Sequence, residues 1–76
     1  MNETTKAIID RLPKKPIIAP ADIAAAYGLA SADTIIADIK VGKLAANRIN
    51  NRYIVSRVAA EAYIESNEFI PDEGAL

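Results

Sequence analysis

KVGKLAANRINNRYIVSR, residues 40–57, is the stretch of sequence that decides the fold. It holds five basic side chains and no acidic one, in a chain whose formal net charge is -1. Asn50 and Asn51 separate two short runs, residues 44–49 and 52–55, in which apolar and polar residues alternate. Such alternation is typical of β-strands, and an Asn-Asn pair favours the backbone of a tight turn. The stretch therefore predicts a basic β-hairpin.

The length and composition of the chain limit what it can do. Its 76 residues include no cysteine and no histidine, so a single small core must fold without disulfides, and the usual zinc ligands and imidazole catalysis are excluded. The carboxylates are accompanied by no nucleophile, metal cluster or glycine-rich phosphate loop. We therefore predict no enzyme activity, no metal, no cofactor and no small-molecule substrate.

The charge is distributed unevenly along the chain. Residues 61–76 hold five acidic and no basic side chains, so residues 1–60, with nine basic and five acidic ones, carry +4. No apolar run approaches the roughly 20 residues of a membrane-spanning helix, and the first residues do not resemble a signal peptide. We therefore expect a cytoplasmic protein without a membrane partner, whose basic part is a contact surface.

Three segments are predicted. Residues 1–16 form a short helix over residues 3–12 and a Pro-Lys-Lys-Pro connector, which the prolines keep extended. Residues 17–66 form the main domain, and residues 67–76 are an acidic tail. The connector lysines are either solvated charges or phosphate contacts. The acidic tail is either a solubilising end or a contact for a protein partner.

Two helices are predicted ahead of the hairpin, and Pro20 is well placed to begin the first of them. This helix should run to about Tyr27 and end at Gly28, with Leu29 folded back against it. Residues 28–30 then form a three-residue turn, which is as tight as a helix-turn-helix requires.

The next predicted helix has Ser31 as its N-cap and ends at Gly42. Its apolar stripe at helical spacing is Ala32, Ile35, Ile36 and Ile39. The positions expected to face outward are Asp33, Thr34, Ala37, Asp38, Lys40 and Val41. Asp33 in the first turn suits the helix dipole.

The hairpin and a last helix complete the predicted core. The candidates for the buried face of the hairpin are Ile49, Tyr53 and Val55. Ser56 is expected to cap a helix running to about Glu65. The apolar contact of that helix is predicted to be Ala60, Tyr63 and Ile64. Phe69 and Ile70 either pack back on the first helix or stay exposed for a partner.

An ordered set of features suggests a family resemblance. It comprises Ile18, Pro20, Ala24-Ala25, Gly28, Ser31, Thr34-Ile35, Ile39, Gly42-Lys43-Leu44, Arg48-Ile49, Arg52-Tyr53 and Ala62-Tyr63-Ile64. In this order the features resemble the small winged helix-turn-helix domain of the phage excisionase and AlpA-like group, distantly related to the MerR regulators. The resemblance implies a mainly α fold with about four helices and a two-stranded wing. It also implies double-stranded DNA binding by an excisionase or transcriptional regulator.

The predicted DNA contacts combine the helix before the hairpin, in the major groove, with the wing on the backbone or minor groove. They are Ser31, Ala32, Asp33, Thr34, Ala37, Lys40, Lys43, Arg48, Asn50, Asn51, Arg52 and Arg57. The helix lacks the outward Arg or Tyr that is usual in the family, which predicts weak direct base reading.

Several of these residues also have structural interpretations. Asp33 and Asp38 can be helix-capping or solvent-exposed residues rather than base contacts, and Asn50 and Asn51 can have the turn as their main role. The hairpin arginines Arg48 and Arg52 can pair with Asp38 or Glu61.

Two alternatives to excisionase-type DNA binding stay open at this point. One is a protein-protein interaction module that keeps the fold and uses the acidic tail; the other is the DNA-recognition domain of a phage terminase small subunit. Besides DNA, the partners to expect are further copies of the chain on adjacent sites, or a recombinase or regulatory protein.

Overall fold

Four short helices and a small three-stranded antiparallel sheet make up residues 2–69, the part of the chain that the computed structural model describes. The order of elements is α1 (Glu3–Asp10), β1 (Ile17–Ile18), α2 (Pro20–Tyr27), α3 (Asp33–Lys40), β2 (Asn47–Ile49), β3 (Arg52–Ser56) and α4 (Arg57–Ser66). The mixed α/β composition agrees with the predicted helices and hairpin. No helix in this part of the chain is long and apolar enough to cross a membrane.

Helix α1 begins at an asparagine cap and ends earlier than predicted. The Asn2 side-chain oxygen accepts a hydrogen bond from the Thr5 backbone N–H at 2.8 Å, which satisfies one of the free donors at the helix start. The helix ends at Asp10 rather than at residue 12, because Pro13 disfavours helical geometry in the residue before it. Ile9 within the helix and Leu12 just after it are nevertheless buried, so α1 shares the core of the other elements.

Helix α2 has the predicted bounds, and both α2 and α3 end in the same hydrogen-bonded motif. After α2, Gly28 has φ +78 and the Leu29 N–H donates to the Ala24 carbonyl. After α3, Gly42 has φ +85 and the Lys43 N–H donates to the Asp38 carbonyl. This Schellman arrangement needs a left-handed residue, which glycine adopts without steric cost. Leu29 itself stays exposed rather than folding back fully.

The connection between α2 and α3 is longer than predicted. Helix α3 begins at Asp33 with Ala32 as its N-cap, so residues 28–32 form the turn instead of residues 28–30. Ser31 is not the N-cap, although its hydroxyl accepts a weak hydrogen bond, 3.4 Å, from the Asp33 N–H. Ile35 is the fully buried member of the predicted stripe, with Ala32, Ile36 and Ile39 partly buried.

The sheet has one strand more than the predicted two-stranded wing. Strand β1 pairs antiparallel with β3, with Ile17 opposite Ser56 and Ile18 opposite Val55. The strand order is therefore β1-β3-β2. Two β-branched residues ahead of Ala19-Pro20 favour an extended backbone, and the Arg57 N–H fixes the connector by donating to the Pro16 carbonyl at 2.8 Å.

The hairpin turn is confirmed. Asn50 and Asn51 have φ values of 50 and 62, and positive φ at both central residues is the signature of the type I′ turn that matches the twist of two-residue hairpins. The expected burial of Ile49 is wrong, since it is 56% exposed. It lies opposite Arg52 in the register, on the face of the sheet that Val55 does not occupy.

Helix α4 begins and packs as predicted. The Ser56 hydroxyl accepts from the Ala59 N–H at 3.0 Å, and Ala60, Tyr63 and Ile64 are buried. The buried apolar residues form one core drawn from every helix and from two strands: Ile9, Leu12, Ile18, Ile23, Ala24, Ala26, Ile35, Leu44, Val55, Ala60, Tyr63 and Ile64. Phe69 is 80% exposed, and Ile70 with the rest of the acidic tail lies outside the described residues.

Candidate nucleic-acid interface

The exposed side of α3 is one of the two surfaces on which the predicted contacts lie. Asp33, Thr34, Ala37 and Lys40 are all exposed, and their spacing places them on one side of the helix. Ser31 is exposed just ahead of the helix, whereas Ala32 is half-buried. This side therefore offers short polar and methyl groups and one lysine at its C-terminal end.

Asp38 was expected on the exposed side of α3, but it does not lie there. Its carboxylate accepts a hydrogen bond from the Tyr63 hydroxyl at 2.5 Å, in a partly buried contact between α3 and α4. Burial raises the pKa of Tyr63 well above its ordinary value, and the hydrogen bond to Asp38 raises it further. The contact keeps the tyrosine protonated and turns one negative charge away from the outward side of α3.

The tip of the β2–β3 hairpin is the second surface. Arg48 lies opposite Tyr53 in the register, and its guanidinium carbon is 5.5 Å from the centroid of the Tyr53 ring, within the range of a cation–π interaction. The same guanidinium donates a long hydrogen bond, 3.4 Å, to the Asn51 side-chain oxygen. Arg48 is therefore oriented by the ring and the turn while its side chain stays exposed.

Arg52 lies on the opposite face of the hairpin from Arg48. Arg52 is opposite Ile49, one position along from the Arg48 and Tyr53 pair, and successive residues of a strand point to opposite faces. Asn50 and Asn51 between them are exposed. The hairpin thus presents an arginine on each face and two amide side chains at the end.

Neither hairpin arginine makes the ion pairs that the structural interpretation required. Asp38 accepts from Tyr63 instead, and Glu61 forms a salt bridge with Arg57 four residues before it on α4. Within residues 2–69 this Arg57 pair is the one salt bridge between side chains. The charges of Arg48 and Arg52 are therefore not neutralised by a carboxylate of the described chain.

Arg57 stands apart from the other predicted contacts. Besides its salt bridge, its guanidinium donates to the Pro13 carbonyl at 3.1 Å and to the Ile9 carbonyl at 3.4 Å. These bonds tie the start of α4 to the end of α1 and to the connector. The half-buried side chain of Arg57 therefore links α4 to α1 and the connector, and its hydrogen bonds are made there.

Lys40 and Lys43 lie where α3 leads into the hairpin. Lys40 ends α3, where a cation suits the helix dipole, and Lys43 follows Gly42 in the Schellman motif. Both side chains are exposed, while the next residue, Leu44, is anchored in the core. The two lysines therefore extend positive charge from the hairpin toward α3.

Sequence reasoning missed one feature beside the hairpin. Lys15, Ile17, Ile49, Arg52 and Ile54 line a common groove at the sheet, to which Ile18 and Tyr53 also contribute. The Ile17-Ile18 pair ahead of a proline is a detectable strand signal. That Lys15 and Arg52, far apart in sequence, line one groove depends on the pairing of β1 with β3 and has no local signal.

Comparison with known proteins adds no assignment: no protein-family model, curated protein or solved structure matches the chain.

Proposed function

We propose that this chain binds double-stranded DNA as a small winged helix-turn-helix protein of the excisionase or transcriptional-regulator type. In this arrangement α2 and α3 form the helix-turn-helix and the β2–β3 hairpin is the wing. The observation that carries the proposal is the hairpin tip, where Arg48, Asn50, Asn51 and Arg52 are exposed on a defined two-residue turn. None of the carboxylates in residues 2–69 neutralises these arginines.

Phosphate neutralisation supplies most of the proposed affinity. Arg48 and Arg52 project from opposite faces of the hairpin, so a hairpin lying along a groove presents one arginine toward each side of it. Lys40 and Lys43 add two exposed charges toward α3. Each phosphate neutralised on duplex DNA contributes about -0.9 to the slope of log K against log salt. Four such contacts give binding that is weak for a single copy and strongly salt-dependent.

The side chains of α3 are poor readers of base sequence. Ala37 and the half-buried Ala32 can touch a thymine methyl group, and Asp33 can accept a hydrogen bond from cytosine N4. Asp33 is also repelled by phosphates, which limits how closely the helix approaches. We therefore assign most of the sequence preference to DNA shape and to neighbouring copies of the protein.

A protein-interaction module is the second candidate function, and the exposed apolar residues favour it. Ile17, Ile49 and Phe69 are each more than half exposed, and none is needed for a phosphate contact. A DNA-recognition domain of a terminase small subunit would use the same proposed interface. What separates this role from that of an excisionase or regulator is the protein that the chain works with, not the residues that contact DNA.

A salt-series titration of random duplex DNA tests the proposal. Arg48→Ala/Arg52→Ala should weaken binding at least about tenfold at low salt and reduce the magnitude of the salt slope by about two, because two phosphate contacts are lost. The matched control is Lys6→Ala/Arg11→Ala, which removes the same charge from α1 and from the residue after its end, both exposed. Circular dichroism checks that this variant is folded, because the Arg11 guanidinium donates a long hydrogen bond, 3.4 Å, to the Ala26 carbonyl. Binding and slope unchanged in the hairpin variant, or equally reduced in the control, would remove the hairpin from the proposal.

A further inference from the structure

The sheet has an outer face that folding leaves uncovered. The register places Ile17, Ile49, Arg52 and Ile54 on the side opposite the buried Val55. Ile17 is 51% exposed and Ile54 half-buried. These residues line one groove together with Lys15 from the connector. We call Lys15, Ile17, Ile49, Arg52 and Ile54 the outer face.

The exposed isoleucines of the outer face indicate a binding site for a partner. Single exposed apolar residues are common on proteins, but a contiguous apolar groove with a charged rim is typical of an interaction site. A sheet with one solvated face normally alternates apolar and polar residues. Here three isoleucines occupy the solvent side, although a polar β-former such as threonine would serve the strands equally well.

The positive charge of the outer face favours an acidic partner. Lys15 and Arg52 are exposed at the groove. One carboxylate also lines it, that of Asp22, but this group accepts a hydrogen bond from the Ala19 N–H at 2.9 Å as part of the α2 cap. With Lys15 and Arg52 against the single carboxylate of Asp22, the groove keeps a net positive charge beside its apolar residues. The complementary partner is an extended segment that combines aliphatic or aromatic side chains with carboxylates.

We propose that the acidic tail of a second copy of the chain docks on the outer face. The tail, NEFIPDEGAL, contains three acidic and no basic side chains together with Phe69, Ile70 and Leu76. Phe69 is the most exposed of the large apolar residues in the described part of the chain. The apolar side chains of the tail match the isoleucines of the outer face, and its acidic side chains match the two cations there.

Geometry favours a tail from another copy over the chain's own tail. Helix α4 starts directly after β3 and runs for ten residues, so it carries the chain about 15 Å from the end of the strand. Glu68 then accepts a hydrogen bond from the Asn2 backbone N–H at 2.7 Å, which holds that end of the chain beside α1. Phe69 is therefore kept away from its own outer face, whereas a second copy meets no such restriction.

Docking of this kind joins two different surfaces. A tail-to-face contact is heterologous, so unless two copies exchange tails it can repeat from copy to copy. The assembly expected is a concentration-dependent series rather than a closed dimer of fixed size. The proposal does not depend on DNA binding, because its surface and its partner are both protein.

Sedimentation equilibrium of the full chain at low salt, without nucleic acid, tests the docking. The mean mass should rise with protein concentration and return toward the monomer as salt is added. Lys15→Glu should lower the association constant about tenfold, and Ile49→Thr should lower it by removing apolar contact. The control Lys6→Glu makes the same charge change on α1 and should leave association unaltered.

A charge exchange separates docking from a general effect of charge. Asp72→Lys/Glu73→Lys alone should weaken association, and combining it with Lys15→Glu should restore most of it, because opposite charges face each other again. Circular dichroism of each variant confirms that it is folded. A wild-type chain that stays monomeric at all concentrations, or a combined variant weaker than either parent, would overturn the proposal.

Discussion

The two faces of the small sheet carry similar side chains but have different surroundings. On the inner face, Ile18 and Val55 are 3% and 1% exposed and belong to the core. On the outer face, Ile17 and Ile49 are more than half exposed. Ile17 and Ile18 are neighbours in one two-residue strand, so the difference between the faces comes from pairing and not from residue type.

The comparison shows what the Asn50-Asn51 turn controls. A slip of one residue in strand pairing moves every side chain of a strand to the other face. The type I′ turn fixes the register in which Arg48 is opposite Tyr53 and Ile49 is opposite Arg52. The turn therefore determines which arginine stacks on the ring and which isoleucine is left for the proposed docking.

The largest expected effect is the difference between Ile18→Ala and Ile17→Ala. Removing the buried Ile18 side chain should lower the free energy of unfolding by about 2–5 kcal/mol, because a cavity opens in the core. Removing the half-exposed Ile17 side chain should cost less than about 1 kcal/mol. Urea unfolding followed by circular dichroism measures both, with each residue serving as the matched control for the other.

A milder pair of substitutions, isoleucine to valine, allows the same comparison if this small domain does not tolerate alanine. If Ile18→Ala fails to fold, Ile18→Val should still cost about 0.5–1.5 kcal/mol, while Ile17→Val should be close to neutral. Equal losses at the two positions would contradict the assignment of inner and outer faces, since the register would then not separate them.

Much of this fold follows from local sequence signals. Pro20 and Gly28 bound α2, Ser56 caps α4, and the paired asparagines form the turn, each because its backbone preference acts over a few residues. The buried residues of α4 also follow from helical periodicity. These features were predictable because they depend on nearby residues and not on contacts with distant parts of the chain.

The features that escaped prediction depend on distant contacts. The burial of Ile49 was expected because it alternates with polar neighbours, but α2 and α4 pack on the face of the sheet that carries Val55, and the register puts Ile49 on the other face. Arg57 is a predicted DNA contact, but no local signal indicated that its guanidinium also donates to the distant carbonyls of Pro13 and Ile9. Asp38 was expected outside, yet Tyr63 of α4 donates to it.

The turn itself provides a second, smaller test of the two faces. Asn51 has φ 62, a conformation that costs a residue such as alanine about 1–2 kcal/mol. Asn51→Ala should therefore lower the free energy of unfolding by about 1 kcal/mol, whereas Asn51→Gly should not lower it. Both variants lose the hydrogen bond to Arg48, so their difference in urea unfolding reports backbone conformation alone. A glycine variant as unstable as the alanine variant would contradict this account of the turn.

The smallest expected effect is that of Ile49→Thr on the stability of the monomer. Threonine keeps the β-branched shape that suits a strand, and the isoleucine it replaces is 56% exposed, so the free energy of unfolding should change by less than about 0.5 kcal/mol. The measurement belongs at low protein concentration, because any self-association that binds only the folded chain adds apparent stability by mass action. At high concentration the wild type should then gain stability that the variant lacks. A loss of more than about 1 kcal/mol in the free energy of unfolding at low concentration would instead place Ile49 in the monomer core, as Val55 is. The two faces of the sheet would then no longer differ in burial.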